Sequence, residues 1–333
     1  MIRSFKYLAL TSLVLSISFL ALTLLGSSSS SIRYKAFNKK RFVYLRDVAS
    51  YYGLSCWVEK NRTFIHNKNK TWQITFIHDK KEVSFNGVKL YLTDSIFNQG
   101  VQSYMSEDDF WLTIDPLLRS KSLKKHSAKT IVIDPGHGGK DLGGNNRLAN
   151  EKDLVLRMAK RTADLFRSRG YHVILTRSRD VNMALQERVN YAQSIGASLF
   201  ISIHSNMAPS AKAAPSIHGL ETFCMTPAGA SSTHGGTSSV FMPGNRYDRN
   251  NVALAYEVHR SIISRTKSND RGIKRARFLV LKQISCPAIL IETGFLSHPR
   301  EGPRLLTNAY QNAIATGIVE GVDNYYRRIR AMK

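Results

Sequence analysis

The sequence predicts an α/β fold: a central, mostly parallel or mixed sheet flanked by helices, preceded by a small α+β domain. Three observations carry this reading. From Thr130 onward, short apolar runs alternate with segments of helical period. Between about residues 37 and 118 the apolar residues instead recur at every second position, on both sides of a hairpin turn. Between these regions, residues 119–129 are basic and polar, with Ser120, Lys121, Ser122, Lys124 and Lys125, as expected of a linker. A chain of 333 residues suits about two domains, and an apolar fraction of 43% is enough to build their cores.

Taken in order, the first 31 residues stand apart. Arg3 and Lys6 precede an apolar run over residues 7–25, followed by Gly26 and five serines. A basic start, an apolar stretch and small residues describe a secretory signal. The run is long for a cleaved signal and has no A-x-A site, so an uncleaved inner-membrane anchor is the alternative, since about 20 apolar residues span a bilayer. No cysteine follows the run to carry a lipid. Either way the chain is expected to be exported, to the periplasm or cell envelope.

Export bears on the charge. Lys and Arg number 48 against 24 Asp and Glu, a net charge of +24. Such an excess asks for an anionic partner. No helix-turn-helix pattern or RNP-type aromatic motif is present. With the export signal, this excludes nucleic acid and leaves the polyanions of the envelope.

In the small domain, Trp72, Ile74 and Phe76 alternate, as do Val83 and Phe85. Asn86-Gly87 makes the turn, and Val88, Leu90 and Leu92 resume the period. Two more strands are expected at 56–58 and 63–66. The segments 42–49 and 103–110 look like copies of one another, each a strand end entering a short helix. The stretch 37–118 resembles the small α+β domain at the N-terminus of copper amine oxidases, which is also fused to bacterial envelope proteins. It implies no copper here, because His66 and His78 lack ligand spacing. A wall-binding role and a structural spacer are both open.

In the large region, strands are expected at 130–134, 171–176, 199–204, 219–225, 276–281 and 288–292. Helices are expected at 151–169, 182–195, 250–265 and 308–326. Asn150 and Gly170 fit the first helix as N-cap and C-terminal stop. A Gly-, Ser- and Thr-rich stretch at 226–249 is long enough to be a loop over a site.

Chemistry concentrates at strand ends. His137 follows the first strand in Asp134-Pro135-Gly136-His137-Gly138-Gly139, and His204 ends another in Ser202-Ile203-His204-Ser205-Asn206. Functional groups of α/β folds gather at the carboxyl ends of strands. Two histidines so placed, with Glu151 at the start of the following helix, make a His-His-carboxylate set with one position free for water, the pattern of catalytic zinc. Singly, each has a plainer use: a rim histidine in a hydrogen bond, or a helix-start carboxylate favoured by the dipole. Glu292 ends the apolar run 287–291 and suits a general base. The alternative is a structural pair with an arginine such as Arg277.

These segments together, IVIDPGHGG (131–139), NEKDLVL (150–156), VILTRSRD (173–180), LQERVNYA (185–192), LFISIHSN (199–206), GLETF (219–223) and AILIETGFLS (288–297), resemble the zinc-dependent N-acetylmuramoyl-L-alanine amidases of bacterial cell-wall turnover. The resemblance spans about 130–330. It implies Zn2+ on His137, Glu151 and His204, with Glu292 as the catalytic glutamate. It also implies peptidoglycan as substrate, cleaved between N-acetylmuramic acid and L-alanine. Asp134 and Ser202 flank the histidines and are candidates to hold an imidazole N–H. Arg177 and Arg188 are candidates to bind stem-peptide carboxylates, with structural ion pairs as the alternative. The family's usual Asn after Phe-Leu-Ser is His298 here, and 226–249 exceeds its shortest members. Some relatives cover the zinc with an inhibitory segment in this part of the chain, and a protein activator is compatible with the family without being indicated by any residue. Of Cys56, Cys224 and Cys286, the last two could form a disulfide or serve as buried apolar residues.

Overall fold

A computed structural model describes residues 32–127 and 130–332. The expected signal or anchor at 7–25 lies outside the described residues. Among those described, no helix is long and apolar enough to cross a membrane.

Strands β1 (Tyr34–Phe37) and β2 (Lys40–Tyr44) form a hairpin leading into helix α1 (Leu45–Tyr51). A five-stranded meander follows: β3 (Ser55–Glu59), β4 (Arg62–His66), β5 (Gln73–Ile77), β6 (Glu82–Phe85) and β7 (Val88–Tyr91). Asn86 and Gly87 both take positive φ, 48° and 82°, as a two-residue hairpin turn requires. Next come β8 (Phe97–Gln99), β9 (Gln102–Ser106), and the short helices α2 (Glu107–Asp109) and α3 (Asp115–Leu118), joined by a π-helical turn, Phe110–Ile114. The two similar segments become β2–α1 and β9–α2. Their strands lie side by side with Tyr44 opposite Tyr104, in a four-stranded sheet ordered β1-β2-β9-β8.

The second region runs β10 (Thr130–Pro135), α4 (Glu151–Ser168), β11 (His172–Leu175), α5 (Leu185–Ser194), β12 (Leu199–Asn206) and β13 (Leu220–Met225). It continues with α6 (Asp248–Thr266), β14 (Asp270–Ala276), α7 (Leu279–Gln283), β15 (Ala288–Phe295), α8 (Glu301–Leu305) and α9 (Asn308–Arg330). The strand expected at 276–281 is corrected: β14 ends at Ala276 and Leu279–Gln283 is helical. The apolar run Phe278 to Leu281 had suggested a strand. The true strand was concealed because it buries Lys274 and Arg275 in its course. Helix α5 begins three residues later than expected, where Glu187 accepts a hydrogen bond from the Ala184 N–H at 2.7 Å.

All but four of the strands join one mixed sheet of eleven, ordered β11-β10-β12-β15-β13-β14-β7-β6-β5-β4-β3. The strands β11, β10, β12 and β15 are parallel, and β13 turns the direction over against β15. The meander continues this sheet through β7, which pairs parallel to β14 with Leu90 opposite Ile273. Around the join, Asp270 accepts from the Lys89 N–H at 2.8 Å. The fully buried Arg275 donates to the carbonyl of Leu112 and the hydroxyl of Thr113, both at 2.9 Å. The basic connection is also tied down, since Asn250 bonds both the N–H and the carbonyl of Lys124 at 2.9 Å. The two regions that composition separates therefore share one sheet.

The period of two divides the central strands between two faces. Ile131, Ile133, Leu199, Ile201, Ile203, Ile289 and Ile291 point into the main core with α4, α6 and α9. Val132, Phe200, Phe223 and Leu290 meet the short α5 and α7 in a smaller cluster. Those two helices leave the strand ends on their side uncovered. Cys56, Cys224 and Cys286 are free, so the disulfide considered for the last two is not formed.

Candidate metal centre

His137 lies two residues beyond β10 with φ of +59°, in a turn closed by hydrogen bonds between Gly138 and Asp141 at 2.9 and 3.1 Å. Two glycines make room for the site. A Cβ on Gly136 would stand 2.1 Å from the His204 ring, and one on Gly143 would stand 2.5 Å from the His137 ring. Glu151, the first residue of α4, turns back over this space. Its two oxygens accept from the Ser205 N–H at 3.0 Å and the Gly144 N–H at 2.7 Å. His204 arrives from β12.

The carboxylate of Glu151 then stands between two imidazoles, 3.1 Å from His137 Nε2 and 3.0 Å from His204 Nδ1. One ligand atom from each of the three residues lies within 4.8 Å of the others. Among the described residues this is the one such group of three or more His, Cys, Asp or Glu. Burial alone would raise the Glu151 carboxyl. Hydrogen bonds and charge from both histidines outweigh it and hold the group well below the usual carboxylate range. Burial likewise works to lower His137, but Glu151 and Asp141 overcome it and raise the imidazole. Two nitrogens and a carboxylate, already oriented by backbone N–H groups, fit a divalent zinc ion.

Glu292 sits next to this group. On the parallel strands β12 and β15 it stands directly opposite His204, and its Oε2 is buried without a hydrogen-bond partner. Burial, followed by the charges of Glu151 and Glu221, pushes its carboxyl well above the usual range, while Lys274 pulls the other way. The structural pairing with Arg277 is not made. That guanidinium bonds the carbonyls of Pro227 and Ala230 and so folds the 226–249 loop back on itself.

The remaining expectations are corrected in detail. Asp134 and Ser202 bond each other at 2.8 Å, and neither bonds an imidazole. Asp134 also accepts from Thr176 at 2.6 Å and from Arg188 at 2.8 Å. Arg177 and Arg188, candidates for stem-peptide carboxylates or for structural ion pairs, are each only 2% exposed, and Arg188 makes the structural pair, with Asp134. Arg188 bonds the carbonyls of Pro135 and His137, and Arg177 those of Pro135, Gly136 and Lys152. These arginines brace the turn that carries His137. The residue that does hold an imidazole is Asp141, 2.9 Å from His137 Nδ1. Its signal was its place four residues after His137 in a Gly-rich turn.

The cleft over the group measures about 560 Å³. Its lining includes Met183, Leu185, Met207, Phe278 and Leu279, and no residue of 226–249. Arg188 is its one Lys or Arg among the described residues, so the surplus positive charge lies elsewhere.

Comparison with known proteins places this arrangement. Residues 131–324 match the N-acetylmuramoyl-L-alanine amidase family. The chain belongs to that family. It is 32% identical over 255 residues to the N-acetylmuramoyl-L-alanine amidase AmiA of Escherichia coli K12, covering 68% of this chain and 86% of that protein. With LytC of Bacillus subtilis it shares 34% identity over 199 residues, 60% of this chain but only 36% of that amidase. Among solved structures, the amidase AmiC2 of Nostoc punctiforme superposes with a TM-score of 0.51 at 33% identity, covering 60% of this chain and 98% of that one. The amidase of Clostridium difficile 630 gives the same TM-score and identity over 61% and 98%. His298 caps the start of α8. Its Nδ1 accepts from the N–H groups of Arg300 and Glu301 at 3.2 and 3.0 Å, and its Nε2 donates to the Pro215 carbonyl at 3.1 Å.

Proposed function

We propose that this amidase is zinc-dependent and hydrolyses the amide between the lactyl group of N-acetylmuramic acid and the L-alanine of the stem peptide. It would act outside the cytoplasm on peptidoglycan, in wall turnover or remodelling. The observation that carries the reading is the convergence of His137, Glu151 and His204, with Glu292 opposite His204 on the neighbouring strand.

His137, Glu151 and His204 would hold the ion. When bound, zinc supplies the Lewis acidity that lets water ionise near neutral pH and polarises the amide carbonyl. Glu292 takes the proton of the attacking water and delivers it to the departing α-nitrogen, without which the amide would not cleave. Asp141 keeps the His137 ring in one orientation through Nδ1, so that Nε2 is the atom that would hold the ion. Met183, Leu185, Phe278 and Leu279 give the cleft apolar walls, which strengthen every charge interaction inside it.

The decisive experiment is mass spectrometry of purified peptidoglycan after digestion. Free stem peptides together with peptide-less glycan, and neither after chelation, are the expected products. Glu292→Gln should keep its zinc by elemental analysis and lose turnover by roughly 10²–10⁴-fold. Near-normal peptide release by that variant would refute the assignment. Export is tested by a fusion reporter on the N-terminal 31 residues, which should be active only outside the cytoplasm.

A further inference from the structure

A row of buried charge crosses the sheet beside the cleft. Glu292 on β15 stands opposite Glu221 on the antiparallel β13. Glu221 in turn lies 2.9 Å from Lys274 on β14 and accepts a second bond from Arg271. The side chains of Glu221 and Lys274 are 5% and 6% exposed. A buried ion pair is seldom a net gain in stability over apolar residues of the same size, so its place next to Glu292 asks for another explanation.

The geometry supplies one. Directly opposed residues on antiparallel strands have Cβ atoms about 5 Å apart, close enough for the two side chains to reach each other and meet at hydrogen-bonding distance. Lys274 and Arg271 draw the Glu221 carboxylate toward β14 instead, and Oε2 of Glu292 is left without a partner. The strand that carries both cations is braced on its far side by the N-terminal meander. Leu90 pairs with Ile273, and Lys274 Nζ sits 5.8 Å from the centre of the Tyr91 ring. A Cβ on Gly272 would stand 2.9 Å from that same ring.

We propose that Lys274 is a positioning residue for Glu292: by holding Glu221 on the β14 side, it keeps the catalytic carboxylate from being captured by its neighbour. The N-terminal strands thereby serve the reaction as an outer support of the catalytic sheet. This rests on the assignment of Glu292 as general base.

In the full chain, Lys274→Met should lower kcat by roughly 10²-fold, the cost of a misplaced catalytic group, with KM and zinc content unchanged. Adding Glu221→Met removes the competing carboxylate, and the double variant should regain most of the lost kcat. A role in folding alone would lower the folded fraction of Lys274→Met and leave kcat per folded molecule unchanged. A crystal structure of zinc-free Lys274→Met should show Glu221 and Glu292 within hydrogen-bonding distance, about 3 Å. Normal kcat in Lys274→Met, or a double variant as slow as the single one, overturns the proposal. So does a Glu221 that stays beside β14 in the variant crystal. Should Lys274→Met fail to fold, Lys274→Gln takes its place: a loss of kcat per folded molecule that Glu221→Met restores supports the proposal, and an unchanged kcat refutes it. An active Glu292→Gln would instead bring down the base assignment, which is a separate result.

Discussion

The two faces of the central sheet are built to opposite rules. Toward α4, α6 and α9, strand after strand presents Ile, Leu or Val, and the long helices close over them. Toward α5 and α7, the same strands begin apolar and end polar: Val132 gives way to Asp134, Phe200 to Ser202 and His204, and Leu290 to Glu292. Because successive residues point to opposite faces, a single eight-residue strand such as β12 supplies both. The first face holds the sheet together, and the second uses that rigidity to keep charged groups where their own interactions would not keep them.

The sharpest way to break this division is to cut into each face of the same strand. Ile203 is fully buried on the core face, so Ile203→Ala should destabilise the fold by about 2–5 kcal/mol. At about 1.5 °C per kcal/mol for a chain of this size, that is a fall of about 3–8 °C in Tm. Activity of the folded fraction, measured well below the transition, should be normal. On the other face, Glu292→Gln removes a carboxyl that burial already disfavours as an anion, and its Tm should hold or rise. Equal destabilisation by both substitutions in thermal melts would show that the site face carries structural load after all.

A smaller effect separates the imidazole's holder from its surroundings. Asp141→Asn should weaken zinc binding by about 10–100-fold, the usual cost of losing a partner behind a metal ligand, as read by competition with a chromogenic chelator. Its thermal stability without metal should change little, because the side chain is more than half exposed. Unchanged affinity would reduce Asp141 to a turn former, through the bond it accepts from the Gly143 N–H.

How far the sequence could be read follows the same division. The core face and the histidines at strand ends were legible because periodicity and motif are local. His137, Glu151 and His204 come together in space as those motifs suggested, although they lie 14 and 53 residues apart along the chain. What escaped was every role set by a long-range partner. Arg177 and Arg188 read as candidates for substrate carboxylates or for structural ion pairs, but they reach carbonyls of the strand end and turn around His137, forty or more residues away. β14 escaped for the same reason. Lys274 and Arg275 look like surface residues until Glu221, Leu112 and Met225 are seen around them. The join between the two regions depends on that strand, so composition drew a boundary where the sheet has none.

The finest test concerns pH, and its sign follows from the cluster itself. Without metal, His137 is raised above its ordinary value of 6.5 by Glu151 and Asp141. That contribution to stability is complete below the ordinary value and disappears as pH rises through the raised one. Glu151 and Asp141 are lowered from 4.5 and 3.8, so their contribution is present above those values and is lost only as pH falls through the depressed ones. On the alkaline side the chelated protein should therefore lose stability as pH climbs from the ordinary imidazole value of 6.5 through the raised one, as far as this cluster is concerned. Zinc should reverse the slope, because it would bind the unprotonated imidazoles and compete with protons at lower pH. The gap in Tm between zinc-loaded and chelated protein should widen over that range. At a hundredfold excess over Kd the stabilisation is about 2.7 kcal/mol, roughly 4 °C. His204→Ala should close the gap at every pH. A gap in the wild-type protein that is constant or narrows with rising pH would mean that the ion binds somewhere other than between these two rings.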